Sequence, residues 1–173
     1  MTVNLDFLNK ICVSNLLNDN SDINEKHSNN EDVPSSFVPN RNVLFLTLAH
    51  SYAQKVGASI IITGVSQTDY SGYPDCREYV IRQLQHTLND ASNTDIKIVT
   101  PLMYMTKAET FEVADNLHVL DFIIDWTNTC YNGNKFEYTR HDWGWGCDNC
   151  PACQLRKQGW LEFQDKLYQN KKR

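Results

Sequence analysis

No two glycines stand side by side in this chain. Its seven glycines are scattered singly through 173 residues. No glycine-rich loop therefore follows a strand, and a phosphate cradle built from consecutive backbone amides is excluded. There is no apolar run long enough to span a bilayer, which removes the membrane-embedded helical classes. The opening Met-Thr-Val-Asn leads into neither a basic segment nor an apolar core, so no signal peptide is visible and the cytoplasm is the expected compartment. A net charge of −5 argues against a dedicated nucleic-acid or membrane-surface binder. No internal repeat is present. With 41% hydrophobic and 21% charged residues, residues 1–173 suit one globular domain of ordinary size.

Cysteine, by contrast, is concentrated. Four of the six cysteines fall in residues 130–153: Cys130, Cys147, Cys150 and Cys153. The last three are spaced C-x-x-C-x-x-C, and Cys130 lies upstream across a loop rich in Gly, Asn and aromatics. A C-x-x-C turn brings two thiolates to one metal without backbone strain. A third cysteine one turn later and one from a returning loop complete a tetrahedron. Gly144 and Gly146 allow a tight path into the cluster, and Pro151 stiffens the last turn. Disulfides need an oxidising compartment, which nothing here indicates. An iron–sulfur cluster competes with zinc, since ferredoxin-type sites use the same spacing. Four cysteines leave no open position for water, so the site reads as structural.

The rest of the chain has an α/β rhythm. Residues 3–17 carry a rough helical stripe through Leu5, Leu8, Ile11, Cys12 and Leu16. Residues 18–36 are polar and read as a surface loop, with His27 solvated within it. A helix then follows residues 37–42 (FVPNRN), with Leu44, Leu48, Tyr52 and Val56 at helical spacing. Leu46, Ala49 and Ala53 widen that face, and Gly57 ends the helix. The β-branched run at residues 59–63 (SIIIT) suits a parallel strand covered on both faces. A helix over about 77–89, a strand at 96–99 and a helix starting near Lys107 follow, the last announced by the Thr106/Glu109 capping pair. Residues 121–125 (DFIID) look strand-like. Leu155, Trp160, Phe163 and Leu167 make the tail an amphipathic helix.

In such sheets ligands sit beyond the carboxyl ends of strands, which puts residues 65–77 (VSQTDYSGYPDCR) at a binding edge. Asp69, Tyr73, Asp75 and Arg77 stand out there. A carboxylate can accept paired N–H donors, an aromatic ring can cover a flat heterocycle, and arginine can fork onto a carboxylate or phosphate. The plainer alternative is a surface turn in which Asp75 and Glu78 form a capping box for the next helix. Lys107, at a helix start, sits where an anion would be welcome, or is simply solvated.

Taken together, PNRN (39–42), GVSQTDYSGYPDCR (64–77), TPLMYMTKAET (100–110), TCYNG (129–133) and CDNCPAC (147–153) resemble the 7-cyano-7-deazaguanine synthase family in order and spacing. The resemblance implies an adenine-nucleotide alpha-hydrolase-like parallel sheet, incomplete because the N-terminal strands are missing, with a C-terminal four-cysteine zinc site and helix. It implies an ATP-dependent ligase making 7-cyano-7-deazaguanine from 7-carboxy-7-deazaguanine and ammonia, for queuosine-type nucleosides. The zinc is structural, and ATP enters as co-substrate with Mg2+. It places the deazaguanine beside Asp69, Tyr73, Asp75 and Arg77. Arg41, Asn42 and Lys107 fall on the nucleotide side, with Lys107 and Arg41 as catalytic candidates. Two departures stand out: Asn40 replaces a usual Gly, and the insertion between Gly133 and Cys147 is long and aromatic. The family's amino-terminal Ser-Gly-Gly-x-Asp-Ser loop has no counterpart. The chain therefore reads as the carboxyl-terminal part of such an enzyme, inactive on ATP alone. Its expected protein partner is a separate amino-terminal part or a second copy, with no direct nucleic-acid contact. The alternative is a non-catalytic zinc-containing binding module left after loss of the ATP-binding strand.

Overall fold

The computed structural model describes residues 2–17, 22–23, 32–67, 73–133 and 139–171. Asp69 and His27, singled out above, lie outside the described residues. The chain divides into two units. The first comprises Met1–Ser21 and Glu25–Tyr104, the second Asp22–Asn24 and Met105–Arg173.

In the first unit the expected amino-terminal helix is a single turn, α1 (Leu8–Ile11), which buries only Leu8. Its apolar spacing is irregular, and so short a helix has little intrinsic stability in water. The polar stretch that follows ends differently from a solvated loop: Val33, Ser35 and Ser36 are buried. Ser14 ties this return down, its Oγ donating to the Ser35 carbonyl at 3.2 Å.

Helix α2 (Arg41–Val56) is bounded by left-handed residues at both ends, Asn40 at φ +57° and Gly57 at φ +71°. Asn tolerates that conformation better than most side chains, so an asparagine fits position 40. The buried line is not Leu44–Leu48–Tyr52–Val56. It runs through Leu46, His50 and Ala53, and Tyr52 and Val56 are exposed. A histidine occupies this line because both its ring nitrogens are partnered. Nδ1 meets Gln54 Nε2 at 3.1 Å, and Nε2 meets Asn89 Oδ1 at 3.1 Å.

Strand β1 (Ile60–Ile62), α3 (Glu78–Ser92) and β2 (Lys97–Val99) follow. β1 and β2 pair in parallel, with Ile60 opposite Lys97, Ile61 opposite Ile98 and Ile62 opposite Val99. Side chains alternate across a sheet. Ile61 and Ile98 therefore share one face, and there they pack against Leu46, Ile81, Met103, Val65 and Leu84. Burying each large aliphatic of this kind contributes roughly 1.5–3 kcal/mol. The expected cover on the second face is not supplied by the described residues: Ile60 and Ile62 are 52% and 73% exposed, and Val99 is exposed beside them.

In the second unit α4 (Lys107–Asn116) begins with the anticipated capping box: Thr106 accepts from Glu109 N, and Glu109 accepts from Thr106 N. The segment DFIID is not a strand but lies in helix α5 (Leu120–Trp126). Five apolar-centred residues carry no decisive period, and here Ile124 is buried while Phe122 and Trp126 are exposed. Strands β3 (Thr139–His141) and β4 (Gly144–Gly146) form an antiparallel hairpin. The tail is helix α6 (Pro151–Lys171). It lies on α4 through Phe163, Trp160 and Leu167, which pack with Ala108 and Phe111. The two helices approach very closely. A Cβ added to Gly159 would stand 2.2 Å from Lys107 Cβ.

Candidate functional site

Among the described residues, two places gather chemically capable side chains, one in each unit. The second unit holds the thiols. Asn128 bridges Trp145 in parallel register, so two residues further along each strand Cys130 arrives beside Cys147. The turn after Cys147 carries Asp148 in a left-handed conformation at φ +52°. Asp148 is held there by Lys157 Nζ on both its oxygens, at 2.8 and 3.1 Å. That turn returns Cys150, and the first turn of α6 presents Cys153. The four Sγ atoms all lie within 4.8 Å of one another, and Cys147 and Cys153 are 4.0 Å apart. Four thiolates around one ion at ~2.3 Å place sulfurs about 3.8 Å apart. The donor set therefore fits a metal ion. Gly146 makes the approach possible, since a Cβ there would meet Cys153 Sγ at 2.6 Å.

The surroundings favour thiolates at one corner. Burial alone would push the Cys147 thiol up. The amides of Asn149 and Cys150, then the Cys130 thiol and the Asn132 side chain, outweigh it and bring Cys147 down to about 6. Cys150 N and Asn132 Nδ2 each lie 3.3 Å from Cys147 Sγ, and Tyr131 N donates to Cys150 Sγ at 3.4 Å. Cys130 and Cys153 are instead raised, chiefly by burial. Raised thiols in a shared shell are the groups whose protons an incoming cation displaces.

Beside this cluster stands Arg156, which sequence reasoning missed. It is 4% exposed, and its hydrogen-bond acceptors among the described residues are neutral oxygens. Its guanidinium donates to Trp143 O at 2.8 Å, Ile123 O at 2.9 Å and Thr127 Oγ1 at 3.0 Å. Those acceptors lie around the end of α5, where unpaired carbonyls and the helix dipole both welcome a cation. Burial lowers its basicity, and the neighbouring Cys153 opposes that. Gly144, at φ +118°, leaves the guanidinium room: a Cβ there would meet Arg156 Nη2 at 2.8 Å. The signal in the sequence was an Arg three residues beyond the last cysteine, one helical turn on.

The first unit holds the carboxylate. Residues Pro74–Cys76 form a 3-10 turn rather than a helix cap. The capping-box alternative for Asp75 fails. Arg77 is the residue that precedes α3, its own side chain makes no capping bond, and Glu78 N donates to Gln67 Oε1 instead. Asp75 turns inward and is 6% exposed. One of its oxygens, Oδ2, accepts from Asn42 N in the first turn of α2 at 2.8 Å. The other, Oδ1, is buried and has no hydrogen-bond partner among the described residues. Asn42 also donates through Nδ2 to Cys76 Sγ at 3.2 Å.

Tyr73 is buried alongside, its hydroxyl 2.6 Å from Ser36 Oγ and its ring stacked on Phe37 at 5.9 Å. The Arg41 guanidinium stands over the Tyr73 ring at 5.5 Å, a distance that favours cation–π attraction. The geometry thus brings Arg41, Asn42, Tyr73 and Asp75 together. Arg77 is exposed at the head of α3, and Lys107 is the first residue of α4 in the second unit. Ser36 was not anticipated, because it lay in a stretch that composition marks as solvated.

Residues 1–164 match the family model described as queuosine biosynthesis protein QueC. The chain is 56% identical over 164 residues to a 7-cyano-7-deazaguanine synthase of Helicobacter pylori, covering 94% of this chain and 72% of that protein. Proteins of the same name from Wolinella succinogenes and Clostridium botulinum are 48% and 45% identical. The matches cover 94% and 95% of this chain, and 69% and 71% of those relatives.

Proposed function

The chain belongs to the family of queuosine biosynthesis protein QueC, and from that premise we propose that it serves the ATP-dependent conversion of 7-carboxy-7-deazaguanine and ammonia to 7-cyano-7-deazaguanine. The reaction is a ligation followed by a dehydration. ATP activates the substrate carboxylate as an adenylate with loss of pyrophosphate. Ammonia displaces AMP to give the amide. A second ATP adenylates the amide oxygen with loss of pyrophosphate and one amide proton, and loss of AMP with the other amide proton leaves the nitrile. The chain carries the base-recognition and metal-holding portion of an adenine-nucleotide alpha-hydrolase-like fold, acting in the cytoplasm with an ATP-binding part that supplies the phosphate cradle.

The observation that supports this reading best is Oδ1 of Asp75, buried with no hydrogen-bond partner among the described residues. A buried carboxylate oxygen without a donor is costly, and a deazaguanine offers adjacent N–H donors on its pyrimidine edge. Asp75 accepts that pair, its Oδ2 already fixed by Asn42 N. Tyr73, with its ring engaged by Phe37 and Arg41, shapes the wall of this place. Asp69 and Arg77 belong to the same loop, Arg77 facing the substrate carboxylate or its adenylate. Arg41 and Asn42 serve the nucleotide with its Mg2+, and Lys107, in the second unit, is a separate candidate for an anion. A structural zinc on Cys130, Cys147, Cys150 and Cys153 fixes the start of α6 and takes no part in bond making.

The test is calorimetric titration of 7-carboxy-7-deazaguanine into the chain joined to the amino-terminal part of a relative. Binding that weakens by ~5- to 150-fold in Asp75→Ala, as the loss of one buried pairing demands, supports the assignment. Parent-like affinity in Asp69→Ala and Asp75→Ala alike removes the base from this loop and favours the non-catalytic zinc-containing module.

A further inference from the structure

Arg156 is buried, and no carboxylate is among its described hydrogen-bond acceptors. Its guanidinium donates to the carbonyls of Trp143 and Ile123 and to the Thr127 side chain. These neutral oxygens satisfy its N–H groups and leave its charge unbalanced. A charge taken out of water is costly unless an opposite one lies nearby. The thiol cluster offers that opposite charge. Cys153 and Arg156 stand three residues apart on α6 and so share a face. Helical side chains lean over the preceding turn, here the one that carries Cys153. Strand β4 lies against both groups. Its Gly144 and Gly146 are buried while Trp145 between them is exposed, as the alternation of a strand requires. A Cβ at Gly144 would stand 2.8 Å from Arg156 Nη2, and one at Gly146 would stand 2.6 Å from Cys153 Sγ. Two residues of a strand span roughly 7 Å, so one short bare face meets both the cation and the sulfur.

We propose that Arg156 is the counter-charge of the metal–thiolate centre, a positioning residue that steadies the anionic sulfurs and sets how tightly the ion is held. The inference rests on reading the four cysteines as a divalent-metal site and adds the group that balances their charge. Four thiolates around a divalent ion leave a net negative centre, and opposite charges this close attract strongly where water is excluded. The carbonyls around the end of α5 and the hairpin then have a second use. They hold the guanidinium plane still, so that its charge stays beside the sulfurs. Lysine at this position would keep the charge and lose the planar fork. Glutamine would keep N–H donors and lose the charge. The two exchanges therefore separate a counter-charge from a mere clasp on carbonyls.

The experiment titrates Co2+ into the reduced full chain, into Arg156→Lys and into Arg156→Gln, and then withdraws the ion with a chelator of known affinity. Absorption reports both binding and the energy of the sulfur-to-cobalt charge-transfer band. The expected result is that Arg156→Gln holds the ion roughly 10- to 100-fold more weakly, the usual cost of losing an outer partner of a metal site. Its charge-transfer band should move to lower energy, because removing a positive charge beside the sulfurs raises their lone-pair energy. Arg156→Lys should lose less than about threefold and keep the parent's band. Equal losses in the two variants with the band unmoved would make Arg156 a structural clasp and overturn the proposal. So would parent-like affinity in Arg156→Gln. If Arg156→Gln does not fold, Arg156→Lys decides alone: a loss beyond about tenfold or a shifted band overturns the counter-charge. The underlying metal reading fails separately, through a parent chain that gives no thiolate–cobalt band at all, and the counter-charge falls with it.

Discussion

Two buried polar clusters in the first unit look alike in composition and differ in completeness. Around His50, both ring nitrogens and the Asn89 side chain have partners from the chain itself. Asn89 donates to Ile96 O and accepts from Ile96 N, both at 3.0 Å, and accepts from Thr94 Oγ1 at 3.0 Å. His50 bridges Asn89 to Gln54. Around Asp75, one carboxylate oxygen is used and the other has no partner among the described residues. Folding favours the first arrangement, because an unmet buried group costs about 1–3 kcal/mol. The second is less favourable for folding alone. Under the function proposed above, completeness separates a cluster that holds the chain from one that receives a ligand. The four thiols of the second unit fall on the open side with Asp75.

The comparison can be broken most forcefully at the thiols. Removing a structural zinc by a strong chelator should cost the second unit its folded state, since such sites contribute ~10–16 kcal/mol at neutral pH. Circular dichroism should report loss of helix, and elemental analysis should find one zinc per chain beforehand. Iron with acid-labile sulfide would replace zinc by a cluster. Next in size, Asn89→Leu should lower stability by ~2–5 kcal/mol in urea unfolding, because Ile96 N–H and C=O lose their partners together. A loss below about 1 kcal/mol would mean the closed cluster is not holding the α3–β2 connection. Third, Asp75→Asn should abolish deazaguanine binding while moving the unfolding midpoint far less than Asn89→Leu does. An amide NH2 in place of Oδ1 would face the base's donors with a donor. Smallest, Tyr73→Phe leaves Ser36 Oγ without its 2.6 Å partner and should cost about 1 kcal/mol, with affinity little changed.

Much of this was legible in the sequence, for identifiable reasons. The C-x-x-C-x-x-C spacing is a local constraint, so the cluster could be read without knowing the fold. The Thr106/Glu109 capping box is local too. Asn40 and Gly57 bound α2 where left-handed residues were expected. What escaped depended on partners distant in sequence. His50 is a core residue only because Asn89 and Gln54 satisfy it, and a hydrophobic stripe cannot anticipate that. Asp75 and Glu78 have the spacing of a cap, yet Asn42, thirty-three residues upstream, claims the carboxylate. Arg156 is defined by carbonyls of α5 and the β3–β4 hairpin, which no local pattern around Cys153 reveals. The DFIID segment failed for a different reason: it is too short for its period to decide between helix and strand.

Gly159 carries a consequence for anyone who would engineer this chain. In a helix interior, exchanging glycine for alanine ordinarily adds up to ~1 kcal/mol of helix propensity, and it is a routine stabilising move. Here the added methyl would fall 2.2 Å from Lys107 Cβ, so α6 must withdraw from α4 or the capping box must shift. The sign of the substitution inverts, and thermal unfolding of Gly159→Ala should begin below that of the parent. The tolerance of position 159 is therefore set by a residue fifty-two places earlier, and propensity tables applied to α6 alone would choose the wrong exchange.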